Sequence, residues 1–178
     1  MKIAIIGYSG SGKSTLAAYL GELYDLPILH LDRVRFLPNW VERKPEEELA
    51  IVKDFMDKNE DSGWVIDGNY TSVHYERRMI EADRIIFLSF SRVACLWRAT
   101  KRYRTWRGHA RPSAAEGCNE KLDRAFVKWI LFDGRTRKRR ARYERVAEQY
   151  KEKFLTIRNQ RALDAFMKKE KEEREGCT

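Results

Sequence analysis

Gly7-Tyr8-Ser9-Gly10-Ser11-Gly12-Lys13-Ser14-Thr15 satisfies the pattern G-x-x-x-x-G-K-[ST] at every fixed position. Each residue type in it has a physical task. Gly10 and Gly12 let the backbone curl with no Cβ in the way. The N–H groups of Ser9 through Thr15 can then converge as an anion nest. Lys13 adds a positive charge that reaches β- and γ-phosphates, Ser14 offers a hydroxyl to Mg²⁺, and Thr15 can donate to an α-phosphate. The flanks agree. Lys2-Ile3-Ala4-Ile5-Ile6 is a short branched apolar run of the buried-strand kind. Leu16-Ala17-Ala18-Tyr19-Leu20 continues as a helix whose N-terminal dipole faces the phosphates. A buried strand, a glycine loop and a helix in that order predict a nucleoside-triphosphate site.

The 178 residues suit one domain with a sizeable core. Residues 1–90 carry 11 Lys/Arg against 15 Asp/Glu, and residues 91–178 carry 25 against 12. The second half therefore holds a net +13, which faces something anionic: nucleoside triphosphate at least, nucleic acid at most. Three widely spaced cysteines, Cys95, Cys118 and Cys177, imply no disulfide framework. The first apolar run is too short for a secretory leader and no stretch is long enough to span a bilayer, so a cytoplasmic protein is expected, without a membrane partner. His109 and Cys118 are too few to make a structural zinc site.

Along the chain, Ile28-Leu29-His30-Leu31-Asp32 reads as a second strand ending in a carboxylate. Carboxyl ends of strands in open α/β sheets face the ligand crevice, which puts Asp32 in a functional position; otherwise it simply opens a solvated loop. The loop from Arg33 to Lys44 mixes basic and aromatic residues. Phe36 and Trp40 in it either meet an acceptor or pin the loop to the core. Pro45-Glu46-Glu47-Glu48 starts a helix, with Leu49, Val52, Phe55 and Met56 as its buried face. Gly63 to Tyr70 is a third strand containing Asp67. Apolar residues followed by Asp at a strand end suit a carboxylate that holds Mg²⁺ directly or through water. Residues 84–90 form a fourth strand.

From Arg92 to Arg111 there are seven basic residues and no acid, on a helical period through Tyr103. Arg98 and Arg102 share one face. Gly108 to Asn119 reads as a mobile connection, Leu122 to Ile130 as an amphipathic helix, and 135–145 as a basic helix with Arg135, Arg139 and Arg142 on one face. Phe154 to Ile157 is a fifth strand. A last helix begins near Arg161, and the charged residues from Lys168 onward are expected to fray.

Strands alternating with helices around a phosphate loop point to a parallel, doubly wound sheet. The phosphate loop, Val65-Ile66-Asp67-Gly68, and Arg98 with Arg102 after the fourth strand together resemble adenylate kinases, of the nucleoside monophosphate kinase group. That resemblance implies a three-layer phosphate-loop fold with five parallel strands in the order 2-3-1-4-5, and a mobile lid inserted at about 104–134 of a single domain. It also implies that Arg98 covers adenine, that Arg102 meets phosphates, and that an arginine after the lid, Arg139 among Arg137-Lys138-Arg139, reaches them too. The chain departs from adenylate kinases after Asp67-Gly68, where Asn69-Tyr70-Thr71 stands in place of Phe-Pro-Arg. The phosphate-acceptor arginine of that family is thus missing. His30-Leu31-Asp32, Trp40, Asp67-Gly68-Asn69-Tyr70, Arg111-Pro112 and Glu116-Gly117-Cys118 are similar to a narrower group, the adenylate-kinase-related DNA topology modulation proteins, or FlaR-like proteins.

Two functions follow as expectations. One is an ATP- and Mg²⁺-dependent kinase. Phosphates lie on Ser9 to Thr15, metal on Ser14 and Asp67, and Lys13, Asp67, Arg102 and Arg139 serve transfer. Asp32 orients or deprotonates the hydroxyl of a small-molecule or nucleotide acceptor. The other is an ATP-binding regulator of DNA topology that meets nucleic acid through its basic half.

Overall fold

The computed structural model describes residues 1–109, 111 and 113–176; Pro112 and Cys177 lie outside the described residues. Lys2–Gly7 forms β1, and Ile3, Ile5 and Ile6 are buried because helices cover both faces of a parallel sheet. Lys13–Tyr24 forms α1 directly after the phosphate loop. Ile28–His30 forms β2, Leu31–Arg35 a one-turn helix α2, and Phe36–Leu37 with Val41–Glu42 a small antiparallel hairpin, β3 and β4. Pro45–Lys58 is α3, Trp64–Asp67 is β5, Tyr75–Glu81 is α4 and Arg84–Leu88 is β6. Arg92–Trp106 is α5, Arg124–Leu131 is α6, Arg137–Gln149 is α7, Phe154–Ile157 is β7 and Gln160–Glu175 is α8.

Five strands pair in the order β2-β5-β1-β6-β7, every neighbour parallel. With the hairpin set aside, this is the expected order 2-3-1-4-5. The register places Ile5 and His30 on either side of Asp67, and Gly7 beside Leu88. The ends of β1, β2 and β5 therefore meet at one edge, where the phosphate loop begins. α1 also leans on α8: the Tyr19 hydroxyl donates to the Met167 carbonyl, and Tyr24 donates to Glu170, which Arg84 grips with two hydrogen bonds.

Several expectations need correction. β2 stops at His30, and Asp32 lies in the first turn of α2, where an acid is favoured by the helix dipole. The segment 33–44 is not an open loop but carries α2 and the hairpin. On α3, Val52 and Met56 are buried, whereas Leu49 is exposed. Arg135 is not on the α7 face with Arg139 and Arg142. It sits in a 3₁₀ turn, Asp133–Arg135, before the helix starts, and is buried. The final helix does not fray at Lys168 but continues to Glu175 along i,i+4 ion pairs such as Lys168–Glu172. Among the described residues no helix is long and apolar enough to cross a membrane.

Candidate active site

The phosphate loop turns through two left-handed glycines. A Cβ on Gly10, at φ 77°, would lie 2.5 Å from the Cys95 carbonyl oxygen; a Cβ on Gly12, at φ 96°, would lie 3.0 Å from the Arg98 guanidinium. Those two contacts let α5 press directly on the loop. Ser11 is fully buried with its hydroxyl unpartnered, and Ser14 and Thr15 open α1. Lys13 spans the loop, its Nζ donating to the Tyr8 carbonyl at 3.2 Å. Burial pushes the Lys13 ammonium pKa down, against the pull of Asp32 and Asp67, and the Arg111 charge lowers it further.

Asp67 is the hub. One carboxylate oxygen accepts the Ser14 hydroxyl at 2.7 Å, and the other meets His30 Nδ1 at 2.6 Å. The side chain is nearly buried, so both contacts are shielded from water. A hydroxyl and a carboxylate oxygen at this separation are the hard-donor pair that Mg²⁺ takes from protein, its remaining positions going to phosphates and water. Among the described residues no group of three or more His, Cys, Asp or Glu could hold a metal ion. Next along the chain, Asn69 turns back to β1. Its amide oxygen accepts from Gly7 N at 2.9 Å and its amide nitrogen donates to the Gly7 carbonyl. Asn69 thereby fixes the residue from which the phosphate loop departs.

The second wall starts at Asp32. One oxygen accepts the Tyr70 hydroxyl at 3.0 Å, the other Arg111 Nη2 at 2.9 Å. Burial pushes the Tyr70 phenol far up, and the Asp32 charge adds to that. Arg111 also faces Glu120, which Arg102 holds at 2.5 Å. The stretch that carries Arg111 lies against the β3–β4 hairpin. Asn39 N donates to the Gly117 carbonyl, Trp40 Nε1 to the Asn119 carbonyl, and Cys118 Sγ to the Leu37 carbonyl. Ala114, Ala115 and Cys118 pack on Phe36 and Trp40, forming a small apolar cluster separate from the main core. Of the two readings for Phe36 and Trp40, pinning is what these contacts describe, though the partner is this far connection.

The arginines divide. Arg98 lies over the Phe90 ring at 4.7 Å beside Gly12, with Nη1 buried and unpartnered. Arg102 is turned to Glu120 and Phe126, not to the phosphate loop. Arg139 stacks on Trp129 at 4.4 Å, and the Trp129 indole donates to the Ser9 hydroxyl at 3.0 Å. Arg139 and Arg142 line a narrow cleft of about 40 Å³ with Ser9, Asn69 and Trp129. Arg135 lies under the loop, its guanidinium 3.7 Å from the Tyr8 ring and bonded to the Phe90 and Ile130 carbonyls and to Cys95 Sγ. Burial raises the Cys95 thiol pKa, against the pull of Arg135, Lys13 and Arg98. The structure thus brings Ser9 through Thr15, Asp67, Arg98 and Arg139 around one loop, and Asp32 onto an adjoining wall. Residue identity alone assigns no task to His30, Asn69, Arg111, Glu120, Trp129 or Arg135. The signals in the sequence are the basic run 92–111, the basic segment 135–145, and the quoted His30-Leu31-Asp32, Asp67-Gly68-Asn69-Tyr70 and Arg111-Pro112.

No protein-family model matches the chain, and no curated protein matches it. Solved structures do. Deoxyadenosine kinase from M. mycoides, determined with bound dATP, is 16% identical over 97% of this chain and 96% of its own, with a TM-score of 0.51. TT1252 from Thermus thermophilus is 15% identical over 95% of this chain and 97% of its own, with a TM-score of 0.53. At such identities the likeness is one of fold: the chain shares the α/β architecture of these structures, with its five parallel strands in the order β2-β5-β1-β6-β7.

Proposed function

We propose that the chain is an ATP-dependent kinase that passes the γ-phosphoryl group to a small-molecule or nucleotide acceptor and releases ADP. The observation that carries this reading is the 2.7 Å contact between Ser14 on the phosphate loop and Asp67 at the end of a buried strand. In this reading ATP lays its phosphates along Ser9, Gly10, Ser11, Gly12, Lys13, Ser14 and Thr15, with Arg98 beside the adenine. Ser14 and Asp67 would hold Mg²⁺, which when bound would supply charge neutralisation at the transferring group. Lys13 and Arg139 draw the phosphoryl oxygens into line. Arg102 acts at one remove, steadying Arg111 through Glu120. Asp32 takes the hydrogen bond of the acceptor hydroxyl. The connection between α5 and α6, within a lid at about 104–134 of one domain, excludes water during transfer. Membership of the topology-modulation group of adenylate-kinase-related proteins and a cytoplasmic setting belong to the same proposal.

The test is a screen of hydroxyl and phosphate acceptors with γ-labelled ATP and Mg²⁺, with Lys13→Ala as control. Labelled acceptor from wild type, and a loss of ATP affinity of about a hundredfold in Lys13→Ala, are expected. If no acceptor is labelled and the chain binds DNA with an affinity that falls steeply with salt, it is a DNA-associated regulator instead.

A further inference from the structure

The charges on the acceptor wall are already matched. Arg111 is set against Asp32 and Glu120, Arg102 against Glu120, and Arg35 against Glu42 and Glu48. Arg78, a little beyond Asp67-Gly68-Asn69 in the chain, is fully buried and spends its guanidinium on the Gly68, Tyr70 and Val73 carbonyls. Burial pushes its pKa down to about 10. Arg77 is engaged by Glu81 and Asp57, and Arg33 is exposed to solvent. Asn69 spends its side-chain amide on the Gly7 backbone. Arg139 and Arg142 form no ion pair among the described residues, but they line the cleft with Ser9 and Trp129, whose lining does not include Asp32.

A phosphomonoester brings about two negative charges at neutral pH. On this wall the guanidiniums of Arg111, Arg102 and Arg35 already face carboxylates, so binding to them would break partly buried ion pairs. Hydroxyl groups meet a different surface. The Asp32 side chain is 39% exposed, and each of its oxygens has taken one donor, Tyr70 on one and Arg111 on the other. A carboxylate has about four lone-pair sites, so roughly one remains open on each oxygen. Two open acceptor sites side by side suit two neighbouring hydroxyls.

Resting on the kinase reading, we propose that the acceptor is a neutral molecule with neighbouring hydroxyl groups, of the nucleoside or free-sugar kind, and not a phosphomonoester. We assign Arg111 as the residue that sets this specificity by holding Asp32 from the lid. The step balances simply. The acceptor oxygen bonds to the γ-phosphorus, and the bond from that phosphorus to the bridging oxygen breaks with its electron pair left on ADP. The hydroxyl proton passes to the Asp32 carboxylate and on to solvent.

The experiment measures kcat/KM for the full chain with Mg²⁺-ATP against nucleosides, free sugars, nucleoside monophosphates and sugar phosphates, in wild type, Asp32→Asn, Arg111→Ala and Arg111→Lys. A neutral acceptor is expected to exceed its own phosphate ester by about a hundredfold, the loss of one or two hydrogen bonds to a charged group. The first two arms say whether the hydroxyls come from a nucleoside or a sugar. Arg111→Ala is expected to raise the acceptor KM about tenfold with the ATP KM unchanged, and Arg111→Lys to restore part of it. Asp32→Asn separates the alternatives by sign: it weakens a neutral acceptor but tightens an anionic one by removing a repelling charge. Transfer to monophosphates alone, or tighter acceptor binding in Asp32→Asn, overturns this inference and leaves the kinase reading standing. Absence of transfer to every member of both classes removes the kinase reading and this inference with it.

Discussion

Replacing Asp67 by Asn keeps the shape of the side chain and removes its charge. Both oxygens are in use, toward Ser14 at 2.7 Å and His30 at 2.6 Å, and the residue is 4% exposed. The serine hydroxyl can rotate from donor to acceptor, and His30 can present either a donor or an acceptor nitrogen. Both contacts therefore persist in the Asp67→Asn variant, but as neutral hydrogen bonds. A charge-assisted bond exceeds a neutral one by about 1 kcal/mol, so two of them give a loss of about 2 kcal/mol. In a chain of this length that lowers Tm by about 4–8 °C. Chemistry should suffer more. If the carboxylate holds Mg²⁺, its loss removes several kcal/mol of transition-state stabilisation, or at least about a hundredfold in turnover. ATP affinity in EDTA should stay close to wild type, because the loop and Lys13 are untouched. Thermal melts, calorimetric titration of ATP with and without Mg²⁺, and turnover against Mg²⁺ concentration read the three effects separately. Turnover in Asp67→Asn with unchanged Mg²⁺ demand would refute the metal role. A Tm loss alone would then mark Asp67 as a brace for Ser14 and His30.

Other perturbations test other parts of the site. Asn69→Ala frees both backbone groups of Gly7 and should cost about 2 kcal/mol, a fall of about 4–8 °C in a thermal melt, with weaker ATP binding in calorimetry. Trp40→Ala removes the indole bond to Asn119 and the wall against which Ala114, Ala115 and Cys118 pack. Hydrogen exchange in 113–119 should rise about tenfold or more, and an unchanged rate would mean that the connection docks by other means. Alkaline pH gives a third test. Burial raises the pKa of Tyr24 to about 12, with Glu170 adding to the rise, while the unfolded chain ionises near the ordinary value of 10. Between pH 10 and 12 the unfolded chain binds fewer protons than the folded one, so stability falls as pH rises. Urea midpoints across that window should fall in wild type and fall less in Tyr24→Phe.

The parts of this molecule that can be read from sequence are those in which neighbours in the chain are also neighbours in space. The strand–loop–helix of residues 2–24 is one such unit, and the Asp at the end of β5 is another, since burial demands an apolar run before it. The end of β2 is harder to place because three strand residues offer too little alternation to separate His30 from Asp32. Asp32 lies instead in the first turn of α2, where its charge suits the helix dipole. Arg135 looks like one more base on a basic helix because 3.6-residue spacing does not show where a helix begins. Thr136 caps α7 by accepting from Arg139 N, which leaves Arg135 outside it and free to turn inward. The remaining contacts join residues far apart in sequence, such as Trp129 with Ser9 and Arg111 with Asp32, and no local pattern encodes such a pair. Arg98 is placed by resemblance, and its lie against Gly12, at a left-handed φ, gives the physical reason for a glycine there.

The guanidinium of Arg135 beneath Tyr8 has a consequence for the charge of the phosphate loop. Lys13, Arg98 and Arg135 all pull against the burial that raises the Cys95 thiol pKa; Asp32 and Asp67 face Lys13 and Asp164 acts on Arg98, but among the described residues no carboxylate hydrogen-bonds Arg135. Positive charge therefore gathers under the loop, and in the proposed function the phosphates of ATP would be its counterion. Any multivalent anion small enough to enter should tighten the fold, sulfate and pyrophosphate included, whether or not it can react.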